Sequence, residues 1–270
     1  MSSSDLKSLA EGLLSVALAA ARVQMVHFAA GVTATAKADK SPVTAADRDS
    51  EAVILEGLAR IAPGVGVVAE EAVAAGNLPA IGDTFFLVDP LDGTRSFIRR
   101  RPQFTINIAL IENRSPVFGL VYAPAVPDFY VTTGPQEAWA ARLAPASEAA
   151  SLGACGLQRL RTRVPDPDAL TALVSHSDAT TSPFLDGLRV RERRALSSSL
   201  KFGLIARGEA DVYPRAGPTS EWDTAAGHAV LAAAGGTVTT FAGTPLRYGK
   251  PDFRNPGFVA WARAPLPARA

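Results

Sequence analysis

Two carboxylates stand three residues apart in Asp89-Pro90-Leu91-Asp92-Gly93-Thr94, directly after the apolar run Thr84-Phe85-Phe86-Leu87-Val88. The run is short, aromatic and β-branched, and Gly82-Asp83 leads into it, so it reads as a buried strand. Carboxylates at the end of such a strand are costly unless something neutralises them. Pro90 fixes φ and lacks an N–H, so the chain leaves the strand in a defined direction. Gly93 has no Cβ and lets a ligand approach the backbone. Thr94 adds a hydroxyl, and Arg95 and Ser96 continue a turn whose N–H groups can face an anion. Carboxylates for a cation thus lie next to donors for an anion, as a metal-assisted phosphate site requires. The plain alternative is an acidic turn that caps a helix.

Further carboxylates fall at element boundaries, where side chains reach clefts. Glu70 ends a short strand, Val65 to Ala69. Asp223 sits in the first turn of a helix expected from Glu221 to Ala234. Asp47 follows Thr44 by three residues in a capping-box variant. Dipole pairing alone would account for Asp47 or Asp223 taken singly. Oxygen donors with no nearby histidine or cysteine suit Mg²⁺, and the chain has only His27, His176 and His228. The second half supplies groups for an anion. Ser198, Ser199 and Lys201 lie near a helix start, and Arg215 is on a loop before Asp223. Taken singly, Lys201 fits a solvated helix face and Arg215 a surface loop.

These residues need elements to position them. Helices are expected over Asp5 to Ala30, after Thr44 up to Pro63-Gly64, and from Leu200 to Ala206. The segments 104–111, 117–122 and 129–132 form an antiparallel meander divided by turns. Beyond Pro145 to Asp168, which shows no clean period, strands and helices alternate as in an α/β unit. The expected division is 1–140, with the antiparallel sheet and most acidic positions, and 141–270, with the anion contacts and Asp223.

The 270 residues suffice for a large core, and a net charge of +1 points to neither nucleic acid nor membrane. A single cysteine, Cys155, precludes an intrachain disulfide and fits a reducing compartment. The apolar stretch from Gly12 to Ala21 is too short to span a bilayer, and Asp5 and Glu11 spoil a signal peptide. An amphipathic helix is the expectation.

The series Glu70-Glu71, Asp89-Pro90-Leu91-Asp92-Gly93-Thr94 and Trp222-Asp223-Thr224-Ala225-Ala226-Gly227 resembles the inositol monophosphatase superfamily. The resemblance narrows to its CysQ-type 3'(2'),5'-bisphosphate nucleotidases through several stretches. They are residues 41–47, 104–111, 119–124 and 198–202, then Tyr213-Pro214-Arg215, 223–230 and Asn255-Pro256-Gly257-Phe258. It covers nearly the whole chain in order. It implies a layered α-β-α-β-α sandwich of the inositol monophosphatase and fructose-1,6-bisphosphatase type. It implies two or three Mg²⁺ ions held by Glu70, Asp89, the carbonyl of Leu91, Asp92 and Asp223. Asp47 and Thr94 would stand next to the attacking water, with Gly93, Thr94 and Arg95 against the phosphate. The substrate implied is a phosphorylated nucleotide, in a cytoplasmic, lithium-sensitive enzyme of sulfate assimilation. A homodimer and a peripheral position at the inner face of the membrane are compatible with it.

The sequence departs from the subgroup at Arg95-Ser96-Phe97, where Lys-Glu-Phe is usual, and at Ser175-His176-Ser177-Asp178, where Ser-Arg-Ser-His is usual. The second change displaces a histidine expected to help hold the nucleotide. Inositol or fructose bisphosphate hydrolysis is the alternative within the superfamily. A haloacid-dehalogenase-type phosphatase would need D-x-D-G-T spacing. A cysteine phosphatase would use Cys155 and Arg161, but Gly156 to Leu160 holds one glycine where several N–H groups must wrap a phosphate. A nucleotide sensor without turnover would need a broken set of carboxylates.

Overall fold

The computed structural model describes residues 1–36, 42–176 and 182–263. The chain opens with α1 (Ser3–Ala30), a two-residue ladder of β1 (Thr35–Ala36) and β2 (Pro42–Val43), and α2 (Ala45–Ile61). Then follow β3 (Gly66–Ala69), α3 (Glu70–Ala74), β4 (Thr84–Asp92) and α4 (Thr94–Ile98). The meander is β5 (Thr105–Glu112), β6 (Ser115–Ala123), β7 (Asp128–Gly134) and β8 (Glu137–Arg142), with β9 (Gln158–Arg159) added at its edge. These strands form one sheet in the order β3-β4-β5-β6-β7-β8-β9, antiparallel except for β3 and β4.

The chain continues through β10 (Leu170–Ser175), α5 (Ser182–Asp186), β11 (Val190–Leu196), α6 (Leu200–Ala206), β12 (Val212–Arg215) and β13 (Thr219–Ser220). It closes with α7 (Ala225–Ala233), β14 (Thr237–Thr240), β15 (Arg254–Asn255) and β16 (Phe258–Trp261). The second sheet has the order β11-β10-β12-β16-β14, and β13 pairs with β15 beside it.

The layers follow from which faces are apolar. On β4, Phe86 and Val88 face the core formed with α1 and α2, through Leu13, Ala17, Ile54 and Leu58. Phe85 and Leu87 face the opposite core, shared with α6, α7 and the second sheet through Phe202, Val230, Val238 and Phe258. A strand covered on both sides is apolar at every position, which explains the continuous run in the sequence. Leu185 of α5 covers the far side of the second sheet with Val212, Val259 and Trp261. The result is the expected α-β-α-β-α sandwich. The helix α1 is long and apolar enough for a membrane span by length and composition, but its apolar side packs on the first sheet. Gly119 lets α7 sit directly on β6: a Cβ there would meet the carbonyl oxygen of Ala226 at 2.2 Å.

Besides the two-residue ladders, two longer strands escape the sequence pattern. The edge strand β11 is largely exposed and carries Arg191, Glu192, Arg193 and Arg194, charges that protect an unpaired edge but hide the strand signal. The signal of β8 is diluted by three alanines. The last long helix begins at Ala225, not Glu221. The backbone N–H of Ser220 is taken by the Asp223 carboxylate, and the Glu221 carboxylate accepts from Gly249 and Lys250 instead of starting a helix.

Candidate active site

The strand β4 changes register between its two carboxylates. Asp89 lies opposite Asn107 and Asp92 opposite Thr105, so three steps along β4 match two along β5. The extra residue is a bulge at Pro90-Leu91, and it turns Asp92 into the cleft. The bulge is held from behind: Gln24 of α1, fully buried, donates Nε2 to the carbonyl of Pro90 at 2.5 Å. The Asp89 carboxylate accepts from the N–H of Leu91 at 2.9 Å. Gly93 then takes φ +99°, and a Cβ would lie 2.9 Å from the carbonyl oxygen of Gln103. Only glycine suits both conditions.

Glu70 is the first residue of α3. The Glu51 carboxylate from α2 accepts from the N–H groups of Glu71 and Ala72, each at 2.8 Å, and fixes that helix start. Asp223 is set by the N–H of Ser220, which donates to its Oδ2 at 2.8 Å. Carboxylate oxygens of Glu70, Asp89 and Asp223 consequently lie within 4.8 Å of one another. Desolvation, then the charges of Glu70, Asp92 and Asp223, raises the Asp89 carboxyl well above the ordinary range. Asp223 is raised well above it by desolvation and by Asp92 and Glu70. Desolvation raises Asp92 too, against the Lys201 ammonium and a hydrogen bond from Ser199. Buried carboxylates that raise one another's pKa make a site short of positive charge. Oxygen donors at these distances fit a hard divalent cation such as Mg²⁺.

Asp47 and Thr94 meet beside this cluster. Thr94 Oγ1 lies 3.0 Å from Asp47 Oδ1 and 3.2 Å from the carbonyl oxygen of Leu91. The second Asp47 oxygen, Oδ2, accepts from the N–H and hydroxyl of Thr44 at 2.8 and 2.7 Å. The capping box expected from the sequence therefore aims the other carboxylate oxygen at Thr94.

Across the cleft, Ser198, Ser199, Lys201 and Arg215 line a cavity of about 110 Å³ together with Asp92 and Asp223. Their environments differ. The Ser199 hydroxyl is buried among Asp92 Oδ2 (3.1 Å), the Asp223 carbonyl (2.7 Å) and Asn107 Nδ2 (3.0 Å), so it joins the two ligand-bearing segments. Lys201 Nζ donates to the carbonyls of Ser198 and Leu196 and lies 4.8 Å from the Tyr213 ring centroid. Burial pushes its ammonium down to about 8, against the pull of Asp92. Ser198 takes φ +60°, and its buried hydroxyl has no protein partner among the described residues. Arg95 is exposed on α4. His176 is exposed, with Nε2 3.3 Å from Gln103 Oε1, which also accepts from the N–H of Ser197. Asp178 lies outside the described residues.

Gln24, Glu51, Gln103 and Asn107 are among the polar residues that sequence reasoning did not assign to the site. For Gln24 the available signal was a polar residue on an otherwise apolar helix face.

The model of the Inositol monophosphatase family matches residues 5–265. The chain belongs to the inositol monophosphatase family. It is thereby a phosphatase of a metal-dependent kind, and the sequence resemblance holds. The 3'(2'),5'-bisphosphate nucleotidase CysQ of Escherichia coli (strain K12) is 42% identical over 224 residues, covering 82% of this chain and 86% of that protein. The protein of the same name from Buchnera aphidicola is 34% identical, covering 84% and 82%. The crystal structure of CysQ from Bacteroides thetaiotaomicron superposes with a TM-score of 0.79 at 34% identity, covering 95% of this chain and 98% of that one. The Thermotoga maritima IMPase, at 23% identity and a TM-score of 0.69, shares the fold.

Proposed function

We propose that this family member is a Mg²⁺-dependent 3'(2'),5'-bisphosphate nucleotidase that converts adenosine 3',5'-bisphosphate to AMP and phosphate, and that it also accepts 3'-phosphoadenylyl sulfate. The observation that carries the reading is the cavity in which Asp92 and Asp223 share a wall with Arg215 and with the Ser198 hydroxyl, which has no partner among the described residues. A substrate with two anionic ends fits such a site, one end at the carboxylate cluster and the other at the guanidinium. The names of the curated relatives support the same substrate class.

Glu70, Asp89, the Leu91 carbonyl, Asp92 and Asp223 would hold two or three Mg²⁺ ions. Bound there, Mg²⁺ neutralises the cluster and lowers the pKa of a water molecule. Asp47 draws the Thr94 proton toward Oδ1, so the Thr94 oxygen is left to accept from the attacking water. The proton released by that water passes to this pair, and the leaving 3'-oxygen is protonated from solvent. The N–H groups of Thr94 and Arg95, next to Gly93, face the reacting phosphate. Arg215 and Ser198 hold the second phosphate, and Ser199 and Lys201 keep the wall behind it in shape. The nucleotide recycled in this way belongs to sulfur assimilation in the cytoplasm.

A panel of phosphate esters with released phosphate as readout tests the reading. The bisphosphate nucleotide should give the largest kcat/KM. Faster turnover of inositol 1-phosphate or fructose 1,6-bisphosphate would overturn the substrate assignment and leave the family standing.

A further inference from the structure

The motif Asn255-Pro256-Gly257-Phe258 has no part in the mechanism above, yet its asparagine lies directly behind Asp223. β15 carries Asn255 and pairs with β13, so that Asn255 lies opposite Thr219 and Arg254 opposite Ser220. Asn255 Nδ2 is 2.7 Å from the carbonyl of Ser220, 2.9 Å from Thr224 Oγ1 and 3.2 Å from Thr219 Oγ1. Its Oδ1 is 3.4 Å from Lys250 Nζ, which also pairs with the fully buried Glu221. The ammonium settles the orientation of the amide: reversed, its oxygen would face the Ser220 carbonyl, and its NH₂ would face a cation.

We propose that Asn255 is a positioning residue for the metal ligand Asp223. It grips the chain on both sides of that residue, at Ser220 and at Thr224. Ser220 is also the residue whose N–H holds Asp223 Oδ2. Its carbonyl goes to Asn255 and its N–H to the carboxylate, so any shift of Ser220 moves the ligand oxygen. Glu221 anchors the same turn through Gly249 N, Lys250 N and Lys250 Nζ. The segment 249–255, remote in sequence, thus fixes the third carboxylate against Glu70 of α3 and Asp89 of β4. This role presupposes that Asp223 binds Mg²⁺, as proposed above.

The test is Mg²⁺ binding to the metal-stripped protein by isothermal titration calorimetry, with Asn255→Ala and Asn255→Asp. Asn255→Asp keeps the shape and the Lys250 contact but removes both donors. Partners that orient a ligand typically change metal affinity by roughly 10–100-fold when lost, and the Mg²⁺ Kd should rise by about tenfold or more in both. At saturating Mg²⁺, KM for the phosphate ester should stay within about twofold, and kcat should recover most of its value. A purely structural role would lower Tm and leave the Mg²⁺ Kd unchanged. Folded variants with a Kd within twofold of wild type would overturn the proposal. Should Asn255→Ala and Asn255→Asp fail to fold, Lys250→Ala is read the same way. A Kd rise supports the role, and an unchanged Kd contradicts it. A wild-type protein that binds no Mg²⁺ would remove the functional reading itself, and this proposal with it.

Discussion

Replacing Asp47 by asparagine separates the proton-transfer pair from the metal ligands. Asp47 Oδ2 is occupied by Thr44, so an amide at this position keeps its oxygen on the Thr44 N–H and turns its NH₂ toward Thr94. Thr94 must then accept from the amide and donate to the Leu91 carbonyl, 3.2 Å away. Its hydroxyl keeps a lone pair for the water, but the amide offers no base to take the proton that the water releases. A positioned general base contributes roughly 10²–10⁴-fold. At about 1.4 kcal/mol per decade, kcat should fall by the equivalent of ~3–5.5 kcal/mol. The weakened cap of α2 should cost only about 1 kcal/mol of stability. Asp47 is outside the cluster of Glu70, Asp89 and Asp223, so the Mg²⁺ Kd should stay within about twofold. Single-turnover phosphate release and calorimetric Mg²⁺ titration on the same preparation give both numbers. A loss of Mg²⁺ affinity comparable to the loss in kcat would show that Asp47 is itself a ligand and refute the assignment.

Three further outcomes are expected. Arg215→Ala should raise KM for the bisphosphate nucleotide by ~1.5–3 kcal/mol, roughly tenfold to a hundredfold, and leave a nucleoside 3'-monophosphate little changed; equal effects on both in steady-state kinetics would remove Arg215 from the second phosphate. Asp89 and Asp223 have raised pKa values in the metal-free fold, so the stability they contribute is complete below the unfolded value of about 4 and is lost as pH rises through the raised values. Mg²⁺ opposes that loss, so the Tm gained on adding Mg²⁺ should grow from about pH 5 to 8 in thermal denaturation; a gain that shrinks with pH would contradict the charged-cluster account. Cys155→Ser should leave turnover intact, because the thiol donates to the Ser151 carbonyl and burial, then Glu11, raises its pKa; lost activity would revive a cysteine nucleophile.

The legible parts of this protein were those encoded locally. The β4 run, the Thr44–Asp47 cap and the D-x-x-D-G-T turn each fit within a few residues. The family order of motifs supplied the sandwich. What escaped the sequence depends on contacts between distant segments. Gln24 meets Pro90 across 66 positions, and Ser199 meets Asp92 across 107. Residue type suggested that Ser199 and Lys201 would face an anion. Folding instead places the Ser199 hydroxyl between Asp92 and the Asp223 carbonyl and turns the Lys201 ammonium onto backbone carbonyls. Asp223 was legible as a boundary carboxylate but not as the product of a clamped turn, because Asn255 and Lys250 reach it from β15 and the loop before it. Helix-start statistics cannot foresee that Glu221 will spend its carboxylate on Gly249 and Lys250.

³¹P NMR of adenosine 3',5'-bisphosphate incubated with the protein and Mg²⁺, with and without chelator, follows the two phosphates separately. The 3'-phosphate resonance should be replaced by inorganic phosphate while the 5'-phosphate persists, and chelation should stop the reaction. Release of the 5'-phosphate, or release undiminished by chelation, would contradict the proposed function.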